Sequence, residues 1–188
     1  MPEHTYSLTS RPFTPALAPA DGGGNRPALW FVFRGYRLLV HLDEGAGRAS
    51  LPSVADPAAL GLATLRTHYV GTLDGEPCYA AEVAEASEAP DGMAFRGLRT
   101  LYGWLDEDLF WVGGRAVQIV DWDRSHQYCG RCGTPTEPGE AERVRTCPAC
   151  GYNHYPRLAP AIIVAVTRLA SSACSPASSS RGRRWKNA

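Results

Sequence analysis

The 188-residue chain carries 19 Lys+Arg against 19 Asp+Glu, a formal charge of zero, with 44% hydrophobic and 20% charged residues. That composition belongs to a folded globular protein and excludes a chain that is disordered throughout. Zero net charge also excludes bulk phosphate attraction as the main means of holding nucleic acid, though a local basic patch stays open.

The N-terminal MPEHTYSLTSRPF has no basic stretch followed by an apolar one, and the longest apolar run, Ala159 to Val166, is far too short to cross a bilayer. A cytoplasmic protein with no membrane contact is expected. Residues 10–27 hold four prolines and Gly22-Gly23-Gly24, so residues 1–27 read as a flexible arm. Ordered structure is expected from Ala28. ALWFVF and YRLLVHL flank Arg34-Gly35, and HYVGTL and PCYAAEV flank Asp74-Gly75-Glu76; each pair reads as a β-hairpin, and together they predict a small antiparallel sheet.

Between Met93 and Leu105, the residues Phe95, Leu98, Leu101, Tyr102 and Leu105 recur at helical spacing. A second stripe takes in Val117, Ile119, Val120 and Trp122, with Gly113-Gly114 as a loop or entry before it. Glu82, Glu85 and Glu88 read as a solvated helix face or loop, and Asp106, Glu107 and Asp108 as an exposed turn. After the cysteine-rich segment, IIVAV has the β-branched character of a buried strand, whereas residues 169–188 are Ser- and Ala-rich with a basic end at Arg181, Arg183, Arg184 and Lys186.

Of six cysteines, four fall in two Cys-x-x-Cys pairs, Cys129/Cys132 and Cys147/Cys150, separated by fourteen residues. That doubled spacing places four thiolates where a tetrahedral Zn²⁺ accepts them and predicts a zinc ribbon over 125–157. Tetrahedral sulfur also suits iron. Disulfide pairing is the remaining alternative, and it fits poorly beside the isolated Cys78 and Cys174. Four sulfurs leave no open position for water, so the zinc is expected to be structural. His126 and His154 lie close by but are superfluous as ligands.

The stretch from Gly114 to Val166, above all RSHQYCGRCG and YPRLAPAIIV, resembles the NADH pyrophosphatases of the Nudix hydrolase superfamily, and the likeness extends back to about Ala28. The resemblance implies an α+β chain: an N-terminal domain at 28–124, the ribbon, and the first strand of a Nudix domain at 158–168. It implies a homodimer that hydrolyses NAD(H) to AMP and nicotinamide mononucleotide and can remove NAD caps from RNA. It also carries three substrate contacts onto Arg99, Glu142 and Tyr155. The family's Lys after a Leu-Pro pair has no counterpart, since Ser53 follows Leu51-Pro52.

The resemblance further implies Mg²⁺ or Mn²⁺ held by the carboxylates of a Nudix box. This chain has no Arg-Glu dipeptide, no Asp or Glu after Glu142, and only 33 residues beyond Tyr155. No catalytic residue is assigned, and a truncated, inactive member, from a shifted frame or premature end, is expected. The alternative is a zinc-ribbon module that binds a nucleotide, RNA or a protein.

Overall fold

The structure is a computed structural model in which residues 9–20, 26–157 and 164 are described. The chain divides after Arg157 into two units, the first of which holds the main sheet and the ribbon. The expected strand at 158–168, Val164 aside, and the tail at 169–188 lie outside the described residues.

In chain order the strands of the main sheet are β1 (Phe13–Pro15), β2 (Ala28–Arg34), β3 (Arg37–Asp43), β4 (Arg48–Ser50), β5 (Ser53–Val54), β6 (Thr64–Leu73), β7 (Glu76–Val83) and β8 (Met93–Gly97). Their spatial order is β1-β6-β7-β2-β3-β4, with β5 also on β2 and β8 also on β3. Both expected hairpins form. In the second, Asp74 (φ 50°) and Gly75 (φ 79°) are both left-handed, the geometry that lets a two-residue turn follow the twist of its strands. The first turns at Gly35-Tyr36, one residue later than expected, with Arg34 opposite Arg37.

The sheet is mixed, because β2 and β7 run parallel from Leu29 opposite Cys78 to Arg34 opposite Val83. Each hairpin is antiparallel within itself. The joint between them is set by the crossover through β4, β5 and a 3-10 turn at Pro57–Leu60, and no local sequence signal dictates its direction.

Side chains alternate across a strand, and β2 is buried on both faces. Phe31 and Phe33 join Leu38, Val40, Val70 and Ala80 in one core beneath the helix α1 (Glu107–Ser125). Trp30 and Val32 join Leu39, Ala81, Val83 and Phe95 in a second core on the other face. This explains why ALWFVF reads as a continuous apolar run instead of an alternating one.

The helix expected over Met93–Leu105 does not form. Met93–Gly97 is β8, paired with β3 so that Phe95 faces Leu39, and Leu98–Leu101 is one 3-10 turn. The apolar stripe is divided across the sheet: Phe95 enters one core, Leu101 and Leu105 the other. Gly113 and Gly114, expected as a loop or helix entry, lie inside α1. A Cβ on Gly113 would stand 3.3 Å from Leu98 and 3.5 Å from Phe31, so its bare backbone lets the helix settle closely on the sheet.

Asp106, Glu107 and Asp108 are not an exposed turn either. Asp106 caps α1, accepting from the Leu109 N–H at 3.3 Å, and the other two place negative charge in its first turn. Asp108 is buried and holds the N-terminal arm: it accepts from the Ser10 N–H (2.6 Å), the Ser10 hydroxyl (2.8 Å), the Arg11 N–H (3.1 Å) and Arg11 Nε (2.8 Å). Arg11 also pairs with Asp106. From this anchor β1 runs antiparallel to β6, passing so close to Gly71 that a Cβ there would lie 2.2 Å from the Thr14 carbonyl oxygen.

Burial pushes the Asp108 carboxyl up, but the Arg11 and Ser10 hydrogen bonds outweigh it and hold the group well below the usual carboxylate range. A depressed carboxylate contributes stability that is full above its unfolded value, about 3.9, and is lost as pH falls through the folded value. At neutral pH, Asp108→Asn is therefore expected to lower exchange protection of the Ser10 and Arg11 amides roughly thirtyfold, the equivalent of about 2 kcal/mol. The gap from wild type should narrow only below about pH 4.

Candidate metal centre and its surroundings

The ribbon follows α1 directly. Its strands β9 (Glu137–Pro138), β10 (Arg145–Thr146) and β11 (Asn153–His154) pair antiparallel in the order β11-β10-β9. Two knuckles of matching construction project the sulfurs. The Cys129 carbonyl accepts from the Gly133 N–H (2.8 Å) while the Cys129 N–H donates to Thr134 O (2.8 Å); Cys147, Gly151 and Tyr152 repeat this at 2.9 and 2.9 Å. Gly133 (φ 76°) and Gly151 (φ 68°) supply the left-handed turn that each loop requires.

All four sulfurs lie within 4.8 Å of one another, with Cys129–Cys150 at 3.7 Å, Cys132–Cys147 at 3.4 Å and Cys132–Cys150 at 3.6 Å. A tetrahedron with Zn–S bonds of about 2.3 Å has sulfur–sulfur edges of about 3.8 Å, so the donor set fits zinc in number, chemistry and size. The Arg131 N–H points at Cys129 Sγ (3.4 Å), a backbone dipole that offsets thiolate charge. Bonds from Thr134, side chain first and backbone second, pull the Cys132 thiol down to about 6. Cys150, despite the backbone hydrogen bond from Tyr152, is pushed up to about 12 by desolvation and the neighbouring sulfurs. Bound zinc removes that competition by stabilising all four thiolates together. Neither histidine ring joins the donor group.

A buried charged junction ties the ribbon to the sheet. Arg145, on β10, donates from one terminal nitrogen to Asp123 (2.6 Å), from Nε to the Thr136 hydroxyl (2.8 Å) and from the other terminal nitrogen to the Thr136 carbonyl (2.7 Å). Asp123, in the last turns of α1, also faces Arg66 at 3.4 Å and His68 at 3.5 Å on β6. Burial pushes its carboxyl up, but His68 and Arg145 together hold it below the usual range. Arg66 continues to Glu82, which Arg124 also approaches at 3.6 Å. Glu82 is thus a buried strand residue with two cationic partners, and not part of a solvated helix face. Separately, Arg143 donates to Tyr69 O (2.7 Å) and Ala16 O (3.2 Å), fastening the β9–β10 connection to β6 and the arm.

The three residues proposed as substrate contacts occupy separate elements. Arg99 is exposed in the 3-10 turn, Glu142 is exposed between β9 and β10, and Tyr155 is 48% exposed just after β11. No hydrogen bond or ion pair joins any two of them. A concavity beside the ribbon, about 490 Å³, is lined instead by Tyr128, Arg131, Tyr152, Arg157 and the two histidines, among others. The sequence shows only a tyrosine immediately before the first knuckle and another just after the second, and nothing in it joins them into one concavity.

Residues 27–122 match the family described as the NADH pyrophosphatase-like rudimentary NUDIX domain, and residues 124–155 match the NADH pyrophosphatase zinc ribbon domain. The chain belongs to the NADH pyrophosphatase family of the Nudix superfamily. With the sulfur geometry, the ribbon match makes the four cysteines a structural zinc site in this family member.

Its relatives include an NAD-capped RNA hydrolase NudC from Deinococcus radiodurans, 44% identical over 141 residues, which are 75% of this chain and 46% of that protein. The NAD-capped RNA hydrolase NudC of Stutzerimonas stutzeri is 43% identical over 109 residues, 58% of this chain and 39% of that protein. That of Pseudomonas aeruginosa is 46% identical over 107 residues, 57% and 38% respectively. The chain spans about half the length, or less, of the curated relatives it matches. No helix among the described residues is long and apolar enough to cross a membrane.

Proposed function

We propose that this chain is the recognition half of an enzyme that hydrolyses NAD(H), free or as the cap of an RNA, to AMP and nicotinamide mononucleotide. The observation that carries the reading is the match of residues 27–122 and 124–155 to the two NADH pyrophosphatase domain families, together with 44% identity over 141 residues to an NAD-capped RNA hydrolase. Arg99 would pair with phosphate, and the exposed Tyr155 ring would stack on or hydrogen-bond to the nucleotide, with Glu142 accepting from a ribose or base donor. A homodimer in the cytoplasm belongs to the same reading, in keeping with cysteines arranged for metal.

Hydrolysis in this family is read as requiring Mg²⁺ or Mn²⁺, which neutralise the pyrophosphate and activate water. The residues present do not fit that role. Among the described residues the four cysteines are the one convergent group of metal donors, and no carboxylate follows Glu142 in the 188 residues. Recognition of NAD(H), and not its hydrolysis, is the role proposed for these residues. Equilibrium titration of the zinc-loaded chain with NADH tests the assignment: saturable binding, weakened about tenfold or more by Arg99→Ala and by Tyr155→Ala, is expected. Unchanged affinity in both variants would remove these residues from the site.

A further inference from the structure

The concavity where the end of α1 meets the ribbon is a built pocket that the NAD(H) reading does not use. Its volume is about 490 Å³, and Arg99, Glu142 and Tyr155 do not line it. Tyr128 (66% exposed) and Tyr152 (47%) offer ring faces to solvent at its rim. Arg131 and Arg157 are its charged members, both exposed, and none of its lining side chains is acidic.

Its floor includes His154, 8% exposed, whose Nε2 is buried without a hydrogen-bond partner. The ring is held by an edge contact from Tyr152 at 4.9 Å and by His126 at 5.4 Å. His126 is itself fixed through Nδ1 to the Trp122 carbonyl at 2.7 Å. A buried polar nitrogen with no partner costs free energy unless a ligand or water completes it. Oriented rings and two guanidinium groups match a nucleotide, with a base face for stacking and a phosphate for the arginines, and the partnerless His154 nitrogen lies just beneath them.

From this geometry we infer that the pocket seats a nucleotide of a single-stranded RNA, downstream of the capped end. The assignment rests on the reading of the chain as an NAD-cap recognising unit. His154 lines the pocket and Tyr155 follows it in the chain, so the proposed cap contact and the pocket occupy neighbouring backbone positions. An acidic peptide would satisfy the arginines but leave both tyrosine faces unused. Zero net charge on the chain makes the contact local, confined to the few phosphates that Arg131 and Arg157 reach.

The test measures binding of a 3′-labelled, uncapped oligoribonucleotide by fluorescence anisotropy across a salt series, with NADH affinity and zinc content determined on the same samples. The proteins are the zinc-loaded 188-residue chain, Arg131→Ala/Arg157→Ala and Tyr128→Ala/Tyr152→Ala. Uncapped RNA should bind the wild type, and each double variant should lose about tenfold or more in affinity. The arginine variant should also flatten the salt dependence by about 1.4 in log–log slope, two phosphates at about 0.7 each. Zinc content and NADH affinity should stay unchanged.

Wild type without affinity for uncapped RNA, or either variant binding it as wild type does, would overturn the inference. So would a parallel loss of NADH affinity, which would make the pocket a seat for the free dinucleotide. Failure of wild type to bind NADH, with RNA binding intact, would refute the cap-recognition reading and leave the RNA pocket standing.

Discussion

Replacing Cys147 with serine is expected to release the zinc and unfold the ribbon while the main sheet persists. The ribbon's three strands are two residues long each, and its buried apolar side chains are few, Val144 beside Cys129 and Cys147. Such a segment cannot bury enough surface to offset its chain entropy, which is about 1–2 kcal/mol per ordered residue. A structural zinc supplies roughly 10–16 kcal/mol at neutral pH in small ribbon-like units, and losing one of four thiolates forfeits most of it. The main sheet keeps its own two cores, built on Phe31, Phe33, Trp30 and Val32. Metal analysis should find one zinc per wild-type chain and none in the variant. Amide exchange should rise across 128–154 and remain slow in β2 and β3. One tightly held zinc in Cys147→Ser would contradict the assignment.

The second large effect is at the junction. Asp123→Ala removes the carboxylate that receives Arg145 at 2.6 Å, in a place where the two side chains are only 7% and 9% exposed. Breaking such a pair leaves an uncompensated buried charge and costs about 3–5 kcal/mol, whereas exchanging both partners for apolar groups is often close to neutral. Chemical unfolding at fixed zinc concentration should show a loss of that size in Asp123→Ala. Most of it should be regained in Asp123→Leu/Arg145→Met. Equal destabilisation of the single and the double variant would show that the cost lies with the other neighbours of Asp123, Arg66 and His68, and not with the unpaired Arg145.

These two sites differ in how far the sequence reveals them. The cysteines announce themselves because both pairs are local, and Asp74-Gly75 likewise marks its hairpin within four residues. Glu82 and Asp108 read as solvated charges, and nothing local singles out Asp123 or Arg145, since each becomes a buried partner only when elements far apart in sequence are packed together. Asp108 meets Ser10 and Arg11 across almost the length of the N-terminal domain. The segment from Phe95 to Leu105 misleads for another reason: a three-residue spacing suits one 3-10 turn as well as an α-helix, and the pattern alone does not show that the stripe crosses from one face of the sheet to the other. Gly113 and Gly114 mark a turn in most settings, but here Gly113 sits in a helix because Phe31 and Leu98 need the space. The pocket beside the ribbon joins α1, both knuckles and β11, and becomes visible only in three dimensions.

The measurement that bears most directly on the central claim takes one sample of zinc-loaded chain, adds NADH with Mn²⁺, and follows equilibrium binding and AMP release together. Recognition without hydrolysis predicts saturable binding with AMP release no faster than in buffer alone. Turnover by these 188 residues would contradict it, because among the described residues the four cysteines are the one convergent group of metal donors.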